Sequence, residues 1–314
     1  MSLLSLLIAL MAEKHLTSKV WSFDFYYQKY VALFQNKKTL ARFRNSTFSY
    51  TLFLLVPTGI TYFILATVEN GLINLIISTL ILTVCFGCAM TRASYKKYLL
   101  ASSNGETITS ELHHQQLLQD KNIPPMGFGQ ALIWLNYRYH IAIMLFFIFF
   151  GATGAVFYRL LTTVIEQQKG CSLDDKNINT DTESKITVEE VTDSSLSDKD
   201  NNSHQNSVKV ISSGCKHYQT ILFYLDWLPV RITSFGYMFV GHFSRALPIW
   251  IDSLFDIQKP AYMILIDVAE KSEDILLDDD DCTAEPCLLV RLAKRTVLLI
   301  LAIISILTLT GLFN

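Results

Sequence analysis

Four stretches of this chain are uncharged and long enough to cross a lipid bilayer, and nothing else in the sequence constrains its fold as much. A crossing helix needs about 20 apolar residues, because the hydrocarbon layer is about 30 Å thick and a helix rises about 1.5 Å per residue. The stretches are 48–66, 72–90, 141–158 and 296–313, and none contains Asp, Glu, Lys or Arg. Backbone polar groups find no water in lipid, so these segments must be helices. The expected fold is all-α: a polytopic transmembrane helical bundle of four to five spans with cytoplasmic helical segments. Hydrophobic residues make up 51% of the chain and charged residues 17%, against about a quarter charged in soluble domains.

Lys and Arg in short loops set the orientation. Segment 13–48 has seven basic residues against two acids, and 91–139 has five against three. Both are expected in the cytoplasm. Span three then leads outward, which strands Arg291, Lys294 and Arg295 on the wrong side. A fifth crossing at 221–241 removes the conflict, although it carries Asp226 and Arg231. A re-entrant or interfacial segment there is the rival reading. The start, MSLLSLLIALM, is too short to span and reads as an apolar helix against the bundle or in the interface.

Three parts follow. Residues 1–166 form an N-terminal membrane part with three spans and cytoplasmic helices. Residues 167–216 are rich in Ser, Asn, Asp and Thr with no Phe, Trp or Tyr, and read as a disordered acidic insertion or linker. Residues 217–314 form a C-terminal membrane part. The bonding of Cys171 with Cys215, and of Cys282 with Cys287, stays open, because a disulfide needs close Cα atoms that sequence does not show. Cys85 and Cys88 lie inside a span and read as inert thiols.

Candidate chemistry gathers in three places. In YLDWLPVRITS, Asp226 and Arg231 lie in apolar surroundings with Trp227 and Pro229 between them. Ionisable residues there are costly and face protein. They read either as a ligand site or as a structural ion pair joined across a proline kink. In ALIWLNYRYH, Trp134, Asn136 and Arg138 suit a phosphate or carboxylate, while Trp134, Tyr137 and Tyr139 also suit an interfacial anchor. In GHFSRALPIW, His242 and Arg245 share a helix face. No catalytic set, metal quartet or phosphate loop is legible, and the net charge of −2 gives no field for nucleic acid. Cofactors: none are expected. The acidic run Asp278–Asp281 reads as a solvated loop.

The segment LDWLPVRITSFGYMFVGHFSRALPIW (225–250), together with ALIWLNYRYH, resembles the AmpE family of the AmpE/CobD superfamily. RASYKKYLLASSNGET (92–107) and the C-terminal LAKRTVLLILAIISILTLTGL fit as well, and the N-terminus more loosely. The resemblance covers nearly the whole chain except 167–216. It implies a multi-pass protein of the bacterial inner membrane, linked to β-lactamase induction, cell-wall recycling signalling and the AmpD amidase. The CobD branch of the superfamily joins an amine to cobyric acid, and its x-D-W-x-P-x-R segment is similar to Asp226–Arg231. This chain lacks that branch's Gly-Asp-Pro and His-Pro signatures.

The expectation is a non-catalytic regulator or sensor in the lipid bilayer, with an anionic small-molecule ligand. The expected ligand set is Trp134, Asn136, Arg138, Asp226, Trp227, Arg231, His242 and Arg245. A CobD-like amide- or ester-forming enzyme acting on a cytoplasmic anion is the alternative.

Overall fold

The computed structural model describes residues 2–16, 19–35, 47–87, 89–167, 201–256, 258–273 and 284–311. Among these residues there are helices and turns and no strand. The helices are α1 (Ser2–His15), α2 (Phe23–Gln35), α3 (Thr47–Thr67), α4 (Gly71–Phe86), α5 (Ala89–Ser103), α6 (Thr107–Asp120), α7 (Phe128–Asn136), α8 (Ala142–Gln167), α9 (Asn201–Val240), α10 (Phe243–Phe255), α11 (Ala261–Ser272) and α12 (Ala284–Leu309). A π-turn, Tyr137–Ile141, joins α7 to α8.

Three helical stretches are long and apolar enough to cross a membrane: Gly71–Ser103, Phe128–Gln167 and Glu285–Leu309. Leu3–Glu13 and Thr51–Thr67 are shorter apolar helices. The chain is thus a helical membrane protein. α8 is the centre: α3 and α4 pack on it from the N-terminal part and α9 from the C-terminal part. α12 lies against α7 and α9, and α11 covers α9 and α7. α1 packs along α4, where Ser5 Oγ approaches the Leu75 carbonyl at 3.5 Å. That is the place expected for a short apolar helix against the bundle. α5 and α6 pack together and meet at Asn104-Gly105, where Gly105 takes the φ of +76° that the tight reversal requires.

Two expectations change. Segment 141–158 is not one straight crossing. At Gly151 the backbone leaves the helix with φ 68° and ψ −163°, a conformation that is essentially glycine's alone. The chain turns back on itself there. Phe146 stacks on Tyr158 with ring centroids 4.7 Å apart, and the Tyr139 hydroxyl lies 2.8 Å from Glu166. A Cβ at Gly154 would fall 2.5 Å from Phe150 Cβ and 2.7 Å from the Phe146 carbonyl, so only glycine allows this approach. The second change is in the linker. Residues 168–200 lie outside the described residues, but from Asn201 the backbone is helix and begins α9. A helix already nucleated over 217–240 extends at low cost, one hydrogen bond per added residue. Cys88, Cys171 and Asp278–Asp281 also lie outside the described residues.

Candidate functional site

The site is built from the π-turn. α7 starts at Gly127, whose N–H donates to Gln130 Oε1 at 2.9 Å, while Gln130 Nε2 donates to Glu270 Oε1 at 2.6 Å. This anchors the start of α7 to α11. Ten residues on from Gly127, the helix widens into the π-turn, and the consecutive residues Tyr137, Arg138 and Tyr139 are all buried. Single π-turns inside helices recur at functional sites.

Asp226 of α9 reaches this turn. Its Oδ1 accepts hydrogen bonds from Tyr137 at 2.6 Å and from Tyr158 at 2.9 Å. Arg138 lies over the Trp134 ring at 4.7 Å, and its Nη1 is 3.8 Å from Glu166 Oε1. Lys121 donates to the Tyr139 hydroxyl at 2.7 Å, and that hydroxyl donates to Glu166 Oε2 at 2.8 Å. Burial works against the Lys121 ammonium, but Tyr139 and Glu166 beside it more than offset that, and its pKa is raised. Arg159, 1% exposed, stacks over Tyr139 at 4.3 Å. Asp24, whose Oδ1 accepts from Gln167 at 3.4 Å, faces Arg159 from α2.

Three cations (Lys121, Arg138, Arg159) and three carboxylates (Asp24, Glu166, Asp226) therefore share one network at the mouth of the Gly151 hairpin. Its formal charge is balanced. Its hydrogen bonding is not. Trp134 Nε1, Arg138 Nε, Arg159 Nε and Arg159 Nη1 are buried donors without a hydrogen-bond partner, and Asn136 Oδ1 and Glu166 Oε1 are buried acceptors without one. Four open donors against two open acceptors suit an acceptor-rich guest. Buried polar groups are almost always paired, so each such orphan calls for an explanation.

The structure brings Trp134, Asn136, Arg138 and Asp226 of the expected set to this turn. It sends the other four elsewhere. Asp226 and Arg231 do not pair. Five residues of helix rotate by about 500°, leaving the side chains roughly 140° apart, and α9 runs through Pro229 without ending. Arg231 instead caps α10, donating to the carbonyls of Ser253 at 3.0 Å, Asp256 at 2.8 Å and Leu254 at 3.4 Å, while its guanidinium covers Trp227 at 4.5 Å. A cation at a helix C-terminus satisfies orphan carbonyls and complements the dipole. His242 and Arg245 are exposed at the start of α10, which packs on α9 and α11. Gly241 permits that turn: a Cβ there would be 2.3 Å from the Ser272 carbonyl.

Sequence reasoning missed Lys121, Tyr158, Arg159 and Glu166, and read Tyr137 and Tyr139 as anchors. The usable signal was Arg159 directly after an uncharged span, with Glu166 seven residues on and so on the same helix face. Beside the network, Glu13 binds His140 at 3.2 Å and Arg92 at 3.4 Å, fastening α1 to the same turn. Among the described residues no group of His, Cys, Asp and Glu could hold a metal ion.

The sequence profile of the family described as "Regulatory signalling modulator protein AmpE" matches residues 1–173 and 202–313. The chain belongs to the AmpE family. The break in the match falls within 167–216, the compositionally distinct stretch. The chain is similar to Protein AmpE of Shigella flexneri, 24% identical over 270 residues, which is 82% of each chain. No solved structure matches this AmpE-family chain.

Proposed function

We propose that this AmpE-family protein is a non-catalytic sensor of the bacterial inner membrane, acting in β-lactamase induction and cell-wall recycling signalling and functionally linked to the AmpD amidase. The observation that carries the reading is the set of open donors on Trp134, Arg138 and Arg159 within a buried network. A small anion, phosphate or carboxylate, meets guanidinium and indole N–H donors with charge-assisted hydrogen bonds. The family's regulatory description and the bias of basic residues toward one face support a site read from the cytoplasm. Occupancy would fix α9 against the hairpin through Asp226, the kind of two-state contact a signal needs.

The test is β-lactamase induction in a host whose own family member is deleted and replaced by this chain or by Arg138→Gln. The glutamine keeps bulk and polarity and removes the charge. Induction is expected to fall about tenfold or more, the loss of one charge-assisted contact of roughly 1.5–3 kcal/mol, at unchanged protein level in the membrane. Unchanged induction at the same membrane level would refute the site. Arg231→Ala does not test this site, since Arg231 holds the end of α10.

A further inference from the structure

Tyr139 and Glu166 are 27 residues apart, and in a straight helix about 40 Å would separate them. Their side-chain oxygens are 2.8 Å apart. Tyr137 and Tyr158 bond the same carboxylate oxygen. The 40 residues Phe128–Gln167 are therefore two antiparallel arms meeting at Gly151. We infer that they form a re-entrant hairpin that enters and leaves the bilayer on one side, with its tip covered by lipid acyl chains, and that α9 consequently does not cross.

Depth supports the first half. Arg138 and Glu166 mark the polar mouth. From Arg138 to Phe150 the arm rises about 18 Å, against a hydrocarbon layer of about 30 Å. The tip therefore ends inside that layer. Its surface fits the occupant: Phe149 is 52% and Phe150 67% exposed, and residues 146–152 carry no polar side chain. The returning arm is not a lipid-facing helix, because 152–165 are buried almost throughout and Arg159 is enclosed by protein. Such an arm is tolerated at membrane depth where protein surrounds it.

Parity supports the second half. Glu166 has returned to the end of the bundle where Arg138 lies. The start of α12 is at that end too, since a Cβ on Gly129 would be 2.8 Å from Leu289 and 3.3 Å from Pro286. Between 166 and 286 the chain begins and ends on one side, so it crosses an even number of times. A second crossing in that interval has no candidate: α10 and α11, of 13 and 12 residues, are too short to span, and neither 168–200 nor 242–285 contains an uncharged apolar run of about 20 residues. α9 therefore crosses zero times. Arg291, Lys294 and Arg295 then share the face of the basic segment 91–139, with no fifth crossing at 221–241.

Two native cysteines report on this. The full-length protein is labelled with a sulfonated, membrane-impermeant maleimide under reductant, in sealed spheroplasts and in inside-out vesicles, and mapped by peptide mass. Cys171 and Cys282 are both expected to label in inside-out vesicles and not in spheroplasts. Labelling of Cys171 from spheroplasts with Cys282 from inside-out vesicles would overturn the hairpin. Trypsin applied to the same vesicles gives an independent reading: cleavage at Lys176 or Lys185 is expected only from the cytoplasmic face, and cleavage from spheroplasts overturns the proposal. Phe150→Cys is expected to stay unlabelled from both faces until detergent is added. Labelling from spheroplasts would mean that the tip emerges, and the re-entrant reading would fall.

Discussion

Two parts of the bundle solve the membrane problem in opposite ways. α3 and α4 carry no charge in their apolar cores and turn large side chains outward: Phe63 is 69%, Leu55 57%, Leu72 74% and Ile76 56% exposed. The Phe128–Gln167 hairpin is buried along most of both arms and holds Arg138, Arg159 and Glu166. In water the first pattern would be a fault. In lipid it costs nothing, because acyl chains are as apolar as leucine. The second pattern would be expensive facing lipid, and it survives because other helices enclose it. Outer helices thus act as solvent-matched walls, and polarity is kept for the protein-enclosed centre.

Substitutions break or sharpen that contrast. The largest effect is expected for Glu166→Ala. It leaves Lys121, Arg138 and Arg159 without the carboxylate they share, and losing one partner of a buried charge network costs about 3–5 kcal/mol. Yield of monodisperse protein in detergent and its melting temperature would report this, and a near-wild-type melt would show that the network is not structural. Asp226→Ala comes next. It orphans the buried hydroxyls of Tyr137 and Tyr158, each at roughly 1–3 kcal/mol, and should loosen α9 from the hairpin. Protease sensitivity of α9 is the readout, and Asp226→Asn, which keeps an acceptor, should restore much of the loss. Gly151→Ala is smaller, about 1–3 kcal/mol, because alanine is strained at the observed φ and ψ while nothing lies within 4 Å of the new methyl. The smallest is Phe63→Ala on the outward face of α3, expected within about 0.5 kcal/mol. A large effect there would mean that a protein partner, rather than lipid, covers α3.

Much of this architecture is legible in the sequence. The helix over 48–66, the apolar C-terminal helix from 296 as far as Leu309, the α5–α6 junction at Asn104-Gly105 and the apolar N-terminal helix fall where hydropathy and turn chemistry put them. That Arg138 and Asp226 face protein rather than lipid is legible too, because a charge in an apolar run asks for a partner. What each charge meets is not. Asp226 and Arg231 invite pairing by proximity, yet helix rotation points them at different neighbours. Arg159 and Glu166 stayed hidden because they follow an uncharged span and resemble an ordinary flank.

By itself the sequence determined that this is a helical membrane protein and which segments are apolar, since hydrophobic length is a local property and the bilayer reads it locally. Tertiary structure decided where the chain turns back and which charges meet. Gly151 in FFGATG looks like any small residue of a membrane helix. Its reversal exists because Gly154 lets two arms touch and because Asp226, from a helix some 70 residues away in sequence, accepts hydroxyls from both. Contacts of that range depend on how helices are oriented in space, and no periodicity along the chain encodes that.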